Sequence, residues 1–424
     1  MLLVSITINY VAGILIAGGH RRFGLGLSLA GSLSLLFYYK YANFAVETVQ
    51  QLTGWPTIDA NSWVNPGLIL LPIGISFYTF QGISYALDVY WGRINVNKNF
   101  IDYGTYTAMF PHQIAGPIVR YADIAPELSG RETSVDMRAA GVERFILGLA
   151  KKMLLANTFA EVADTLFNVP VNSISVAAAW LGVIAYTLQI YFDFSGYSDM
   201  AIGLGRLIGF NFKENFNYPY TARSIQDFWR RWHISLSSWF RDYVYIPLGG
   251  SKGSKAKTYR NLLIVFFITG LWHGASWNFI IWGLFHGAFL LVERAGLANR
   301  LKQWPAVIGH VYTLLVVMIG WVLFRANDFS AASAYMGRLI GLNGSETSYA
   351  YTINSFTSTT IVGTFILGVI FTTPVYFMAQ RHQDQVPIGM FRNIGYVVGL
   401  LSLFFLSMMS LAASTYNPFI YFRF

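Results

Sequence analysis

His273 stands in the run Gly270-Leu271-Trp272-His273-Gly274, inside a stretch with no Asp, Glu, Lys or Arg from Asn261 to Val292. An imidazole among apolar and aromatic residues has lost most of its hydration, so something specific must hold its protons and lone pair. Uncharged near neutral pH, it can accept a hydroxyl proton as a general base. A hydrogen bond to a neighbouring helix carbonyl is the structural alternative, and both readings stand.

His233 lies 40 residues before His273, in a second constellation. Read as a helix, 228–243 is opened by Ser224 with Asp227 three residues on, the spacing of a capping box. Trp229, Trp232, Leu236, Trp239, Phe240 and Tyr243 then share one face, and Arg230, His233, Ser237 and Arg241 form a polar stripe about 80° wide. Such an interfacial helix embeds its apolar side. Two guanidiniums, an imidazole and a hydroxyl suit phosphate groups such as those of coenzyme A, while anchoring to anionic lipid explains the arginines equally well.

Asp193 and Asp199 lie among apolar residues in Tyr191-Phe192-Asp193-Phe194-Ser195-Gly196-Tyr197-Ser198-Asp199. Carboxylates at such depth require partners, for which His273, His233 or Arg206 are the candidates, in a structural or a catalytic pair. His112 sits among helix breakers in Pro111-His112-Gln113-Ile114-Ala115-Gly116-Pro117, a turn or unwound segment in which it fixes the loop or faces a cavity. No paired-histidine metal motif, G-x-S-x-G serine or phosphate-binding loop occurs, and the absence of cysteine excludes disulfides and thiolate chemistry.

The elements that must position these groups are membrane spans. The 424 residues are 54% hydrophobic and only 12% charged, against roughly 25% charged in soluble domains. This predicts an all-α polytopic membrane protein. Apolar segments near 2–19, 24–46, 66–91, 101–118, 141–160, 175–210, 261–292, 306–324, 360–379 and 391–413 are candidates against the ~20 residues a bilayer core requires. The first is read as a retained span rather than a signal peptide. Basic loops at 20–22, 93–98, 120–152, 206–260 and 381–392 should face the cytoplasm; 50–65, 161–174 and 341–358, without Lys or Arg, should lie outside. The net charge of +9 follows from this bias, with no need of nucleic acid. The uncharged run 261–292 would be about 48 Å long as one helix, too long for one upright span of ~30 Å and too short for two. It is expected to bend or re-enter with His273 at depth. With no internal repeat, 1–424 reads as a single membrane domain, 223–250 being its interfacial part.

Taken together, Trp229-Arg230-Arg231-Trp232-His233-Ile234-Ser235-Leu236, Phe240-Arg241-Asp242-Tyr243 and Trp272-His273-Gly274 resemble the membrane-bound O-acyltransferase family, and more closely its bacterial polysaccharide branch. Phe110 to Pro117, Tyr191 to Asp199 and the terminal Pro418-Phe419-Ile420-Tyr421-Phe422-Arg423-Phe424 extend the resemblance over essentially the whole chain. The resemblance implies a ring of tilted helices around a central tunnel, His273 as the main catalytic histidine and His233 as the second. It implies no permanently bound cofactor, acetyl-CoA as cytoplasmic donor, and an extracytoplasmic partner esterase carrying Ser, His and Asp that places acetyl on a polysaccharide. Two departures stand out: the run Lys151-Lys152-Met153-Leu154-Leu155-Ala156 is followed by Asn157 where the family commonly has Asp, and the chain reads as lacking a preceding span that relatives often have, so either Met1 is not the natural start or this is a shorter member.

The expected function is therefore transfer of acetyl from acetyl-CoA across the bacterial inner membrane for O-acetylation of an exopolysaccharide, alginate first. Arg230, Ser237, Arg241, Asp193, Asp199 and His112 would bind or support the donor. D-alanyl transfer to teichoic acid, acetylation of cellulose or peptidoglycan, and a glycan or acyl-donor transporter are the alternatives. The final residues read as an aromatic belt against membrane lipids, but they also look like the aromatic tail of the accessory peptide of D-alanyl transfer systems. Tyr421 is thus a candidate oxygen nucleophile for an acyl relay.

Overall fold

The computed structural model describes residues 1–54, 71–342, 349–375 and 390–413, together with Tyr416 and Pro418. The described residues form helices and no strand, apart from an isolated bridge between Ile174 and Tyr351. Among the described residues, four stretches are long and apolar enough to cross a membrane: Val176–Leu207, Trp277–Gln303, Ala306–Arg325 and Asn393–Ala413. They differ in surroundings, 72% of the apolar window of the first being buried within the protein against 6% for the last. The first is an internal strut, and the last turns its side chains outward, as a lipid-facing helix must.

Helices α1 (Leu2–Ala17) and α2 (Arg21–Leu36) pack together and onto α4 (Ile75–Tyr90), with α3 (Ala42–Thr53) between them in sequence. Asn9 of α1 is fully buried and paired, accepting from Ser28 Oγ at 2.5 Å and donating to Ser32 Oγ at 3.0 Å. In an apolar setting such polar contacts select one neighbour over another. Between α2 and α3 the chain makes a π-helical turn, Phe37–Tyr41, which carries Lys40.

The segment 101–118 is not one helix. Helix α5 (Phe100–Ala108) stops after nine residues and gives way to a 3-10 turn at Phe110–His112 and irregular chain up to α6 (Tyr121–Ser129). Pro111 and Pro117 supply no N–H for a helical ladder, and Pro111 is the second residue of the 3-10 turn.

Helix α7 (Val135–Ala150) runs through a π-helical turn at Lys151–Ala156 into α8 (Asn157–Asn168) and lies along α9 (Val176–Leu207). The two backbones touch at glycines. A methyl on Gly148 would sit 2.6 Å from the Gly196 carbonyl oxygen, and one on Gly203 would sit 2.6 Å from that of Gly141. Small residues one heptad apart permit this approach.

After α9 come the short helices α10 (Ile225–Arg231) and α11 (Ile234–Phe240), then a π-helical turn at Arg241–Tyr245. Next is the pair α12 (Lys255–His273) and α13 (Trp277–Val292), which reverses direction at 274–276. Gly270 and Gly283 form its crossing point: side-chain bulk on either would run into backbone of the other helix, at Phe279 and Phe266 respectively. Beyond it lie α14 (Ala298–Gln303), α15 (Ala306–Arg325), α16 (Phe329–Leu339), α17 (Thr359–Phe371) and α18 (Met390–Ala413). The core between α9, α10, α13 and α15 is largely aromatic, with Trp282, Trp321 and Phe228 each at most 1% exposed.

Candidate active site

His273 is the last residue of α12, at the tip of the α12–α13 hairpin. Its ring is 8% exposed and meets Trp272, Trp282 and Phe324 edge-on, with centroids at 4.9, 5.0 and 5.3 Å. One side opens on a cavity of about 220 Å³ shared with Lys40, Ser76, Phe77, Ile114 and Trp272. The hairpin tip is held from the N-terminal part of the chain. Lys40 Nζ donates to the carbonyls of Trp272 at 2.5 Å and His273 at 3.3 Å, and Tyr41 donates to that of Leu271 at 2.8 Å. A helix leaves its last carbonyls unbonded and partly negative, so a cation and a hydroxyl are the natural caps.

His233 lies elsewhere than one continuous helix would put it. The chain breaks between α10 and α11, where Trp232 is extended and His233 takes a left-handed conformation with φ at +44°. For a residue with a Cβ that costs about 1–2 kcal/mol. Asn215 offsets it: its backbone carbonyl accepts Ile234 N–H at 2.9 Å, and its Oδ1 accepts Ser235 N–H at 3.2 Å, Ser235 Oγ at 2.8 Å and His233 Nδ1 at 3.1 Å. Because the Ser235 backbone can only donate, the side-chain atom facing it is the carbonyl oxygen. His233 Nδ1 therefore carries the proton, and Nε2 keeps a bare lone pair. That Nε2 is buried with no hydrogen-bond partner among the described residues. Asn215 is fixed in turn by Ser198 Oγ at 3.1 Å, and Ser235 by Ile118 N–H at 2.9 Å.

Both imidazoles touch the Trp272 indole, His233 at 6.2 Å and His273 at 4.9 Å between centroids. The structure thus gathers the two histidines around one tryptophan. It does not gather the rest of the stripe: Arg230 and Arg241 are exposed, Ser237 is half-buried and bonds the Trp232 carbonyl, and His233 is fully buried. The break at 232–233 turns His233 inward, while every residue assigned to the apolar face is buried. Ser224 caps α10 through Asp227 N–H at 3.0 Å as expected, and Glu293 adds two further caps on Ile225 and Gln226 N–H.

Arg241 instead joins an ionic cluster with Asp242 and Arg120, at 2.7 and 2.8 Å. Burial alone would raise the Asp242 carboxyl, but hydrogen bonds from Arg241 and Arg120 outweigh it and hold that group below its usual range. Nearby, Tyr243 donates to Asp88 at 2.6 Å and stacks on Trp91.

Asp193 and Asp199 take partners that the sequence reading did not consider. Lys152 pairs with Asp193 at 2.6 Å, Lys151 with Asp199 at 2.6 Å, and Arg144 with Asp199 at 2.7 Å. Both carboxylates therefore tie α9 to α7 and its π-helical turn. Lys152 also donates to the Pro418 carbonyl, while Tyr416 and Arg325 both bond Asp164 of α8. These two contacts bring the start of the terminal motif against α8 and the turn before it; Tyr421 itself lies outside the described residues. His112 is fully buried, its Nδ1 3.0 Å from Gln81 Nε2, which fixes the loop. The same loop lines the cavity through Ile114 and reaches the His233 network through Ile118.

Sequence reasoning missed Lys40, Asn215 and Ser235. For Lys40 the signal was present: a lone cation in the apolar run 24–46. For Asn215 and Ser235 it was absent, because a loop amide and a helix serine have many commoner uses.

The model of the family described as MBOAT, membrane-bound O-acyltransferase, matches residues 94–330, which hold both histidines. The protein named "Probable alginate O-acetylase AlgI" of Azotobacter vinelandii is 38% identical over 97% of this chain and 87% of its own length. The "Peptidoglycan O-acetyltransferase" of Helicobacter pylori is 38% identical over 81% of this chain and 70% of its own. The "Teichoic acid D-alanyltransferase" of Bacillus subtilis is 26% identical over 65% and 74%.

Proposed function

This chain belongs to the membrane-bound O-acyltransferase family and is a membrane-embedded O-acyltransferase, and from that premise we propose that it moves an acetyl group from cytoplasmic acetyl-CoA across the bacterial inner membrane for O-acetylation of an exopolysaccharide, alginate first. The observation that carries this reading is His273 at the hairpin tip, lining a cavity, with the oriented His233 against the same Trp272 ring.

In this reading the α12–α13 hairpin is re-entrant, entered from the cytoplasmic loop that precedes Lys255, and all of 1–424 serves as one membrane domain. His273 takes the proton of an acceptor hydroxyl as its oxygen attacks the thioester carbonyl. The carbon–sulfur bond breaks and the departing thiolate leaves, to be protonated from the imidazolium. His233, with its Nε2 lone pair, is the second base. Arg230 and Arg241, exposed, would meet donor phosphates where the chain emerges from the membrane. Delivery to polymer then falls to an extracytoplasmic partner with a Ser-His-Asp site. The reading in which D-alanyl is the cargo draws on the similarity to the Bacillus subtilis protein.

Purified protein incubated with acetyl-CoA labelled in the acetyl group tests the proposal. Thioester cleavage or transfer that falls at least ~10²-fold in a folded His273→Ala variant is the expected result. Passage of intact donor without cleavage would overturn it.

A further inference from the structure

We propose that Lys40 determines acyl specificity: its ammonium, fixed in the wall of the His273 cavity, admits short uncharged acyl groups and turns away aminoacyl groups. The inference rests on the acyl-transfer reading above and names the substrate class of that site.

Placement comes first. The π-helical turn Phe37–Tyr41 sets Lys40 against the end of α12, in the same cavity as His273. Its Nζ meets three oxygens: the Trp272 carbonyl at 2.5 Å, the His273 carbonyl at 3.3 Å and Ser76 Oγ at 3.3 Å. A neutral amine has only two hydrogens to give, whereas an ammonium has three. The carbonyls are the negative end of a 19-residue helix, and the Trp272 ring lies 5.9 Å from Nζ; both favour the cation against the cost of taking it out of water. All three partners are uncharged oxygens, so the positive charge is hydrogen-bonded without being cancelled.

The surroundings then decide what that charge does. Leu71, Ile73, Phe77, Ile114 and Trp272 supply much of the remaining wall, Leu71 and Ile73 at its open side, so the charge is screened less than on a polar surface. The cavity, of about 220 Å³, has room for a short acyl group and the atoms joining it to a carrier. An acetyl group brings a carbonyl dipole that a cation welcomes. A D-alanyl group brings an ammonium on the carbon next to its carbonyl, which would lie in the same small cavity as Lys40. Repulsion of like charges is a direct means of rejecting the wrong substrate.

The test compares isobutyryl-CoA with D-alanyl-CoA, which match in size and differ by one charge, using acetyl-CoA as reference. The wild-type protein should favour isobutyryl over D-alanyl in kcat/KM by at least about tenfold, Lys40→Arg should keep that ratio, and Lys40→Met should lose it. A merely structural Lys40 would lower both rates together and leave the ratio unchanged. Should Lys40→Met be inactive, Ile73→Glu decides: it leaves Lys40 in place, adds a carboxylate to the same cavity and should raise D-alanyl turnover relative to isobutyryl. A wild-type ratio near one, or a ratio unmoved in both variants, overturns the inference. Failure of the wild type to cleave any thioester in a His273-dependent way overturns the acyl-transfer reading instead.

Discussion

Asn215 and His233 are joined by a hydrogen bond of 3.1 Å that sets both the backbone turn and the tautomer of the histidine, because one carbonyl oxygen accepts from the imidazole and from the chain two residues beyond. Asn215→Ala should release His233 from its left-handed conformation and let the ring change tautomer. Acetyl transfer should fall about 10²-fold while membrane expression stays normal, and Asn215→Asp, which keeps the acceptor, should retain more activity. Equal losses in the two variants would detach the tautomer from catalysis.

The crossing of α12 and α13 at Gly270 and Gly283 leaves no room for side chains. Gly283→Val should destabilise the hairpin by about 1–3 kcal/mol or more, since the obstruction is backbone and cannot swing away. Thermal unfolding in detergent, with and without Gly270→Val, reads this directly. A Gly283→Val protein of unchanged midpoint would show that the helices separate freely.

Lys152 and Asp193 form a buried ion pair at 2.6 Å. Lys152→Met or Asp193→Asn alone should each cost about 3–5 kcal/mol, and the double variant should lose far less than their sum, because each single change takes the opposite charge away from a buried one. Purely additive midpoints would mean that the charges do not depend on one another.

The loop-charge reading places Lys255 in the cytoplasm and Ser345, which lies outside the described residues, on the far side. In this cysteine-free chain, Lys255→Cys should resist an impermeant thiol reagent in intact cells and Ser345→Cys should react with it. The reverse pattern would put the start of α12, and with it the donor, in the wrong compartment.

The start of the terminal motif is held at Pro418 by Lys152. If Tyr421 relays the acetyl group, Tyr421→Phe should abolish polymer acetylation with the protein still present in the membrane, whereas an anchoring residue would tolerate the change. Acetate released from the polymer by mild alkali is the measurement.

These sites were unequally legible. His273 could be read from its apolar surroundings, and burial of Trp229, Trp232, Leu236, Trp239, Phe240 and Tyr243 follows from helical periodicity. The turn at His233 could not be, because the same periodicity runs on across it and only Asn215, eighteen residues away, makes the break affordable. The partners of Asp193 and Asp199 are not legible, because Lys151 and Lys152 read as the end of a basic cytoplasmic loop. The structure instead puts them on a π-helical turn beside α9.

The cavity has two unlike walls. One is the tip of the hairpin with Lys40 against it; the other is chain from 71–74 with Ile114, irregular but pinned at Gly74, whose φ is +76° and where an added methyl would meet the Gln113 carbonyl. Side chains such as Leu71 and Ile73 on the irregular wall are free to change where the glycines are not. Descendants of this enzyme can acquire new acyl or acceptor preferences by redrawing the irregular wall, while the histidine at the hairpin tip stays where it is through every such experiment.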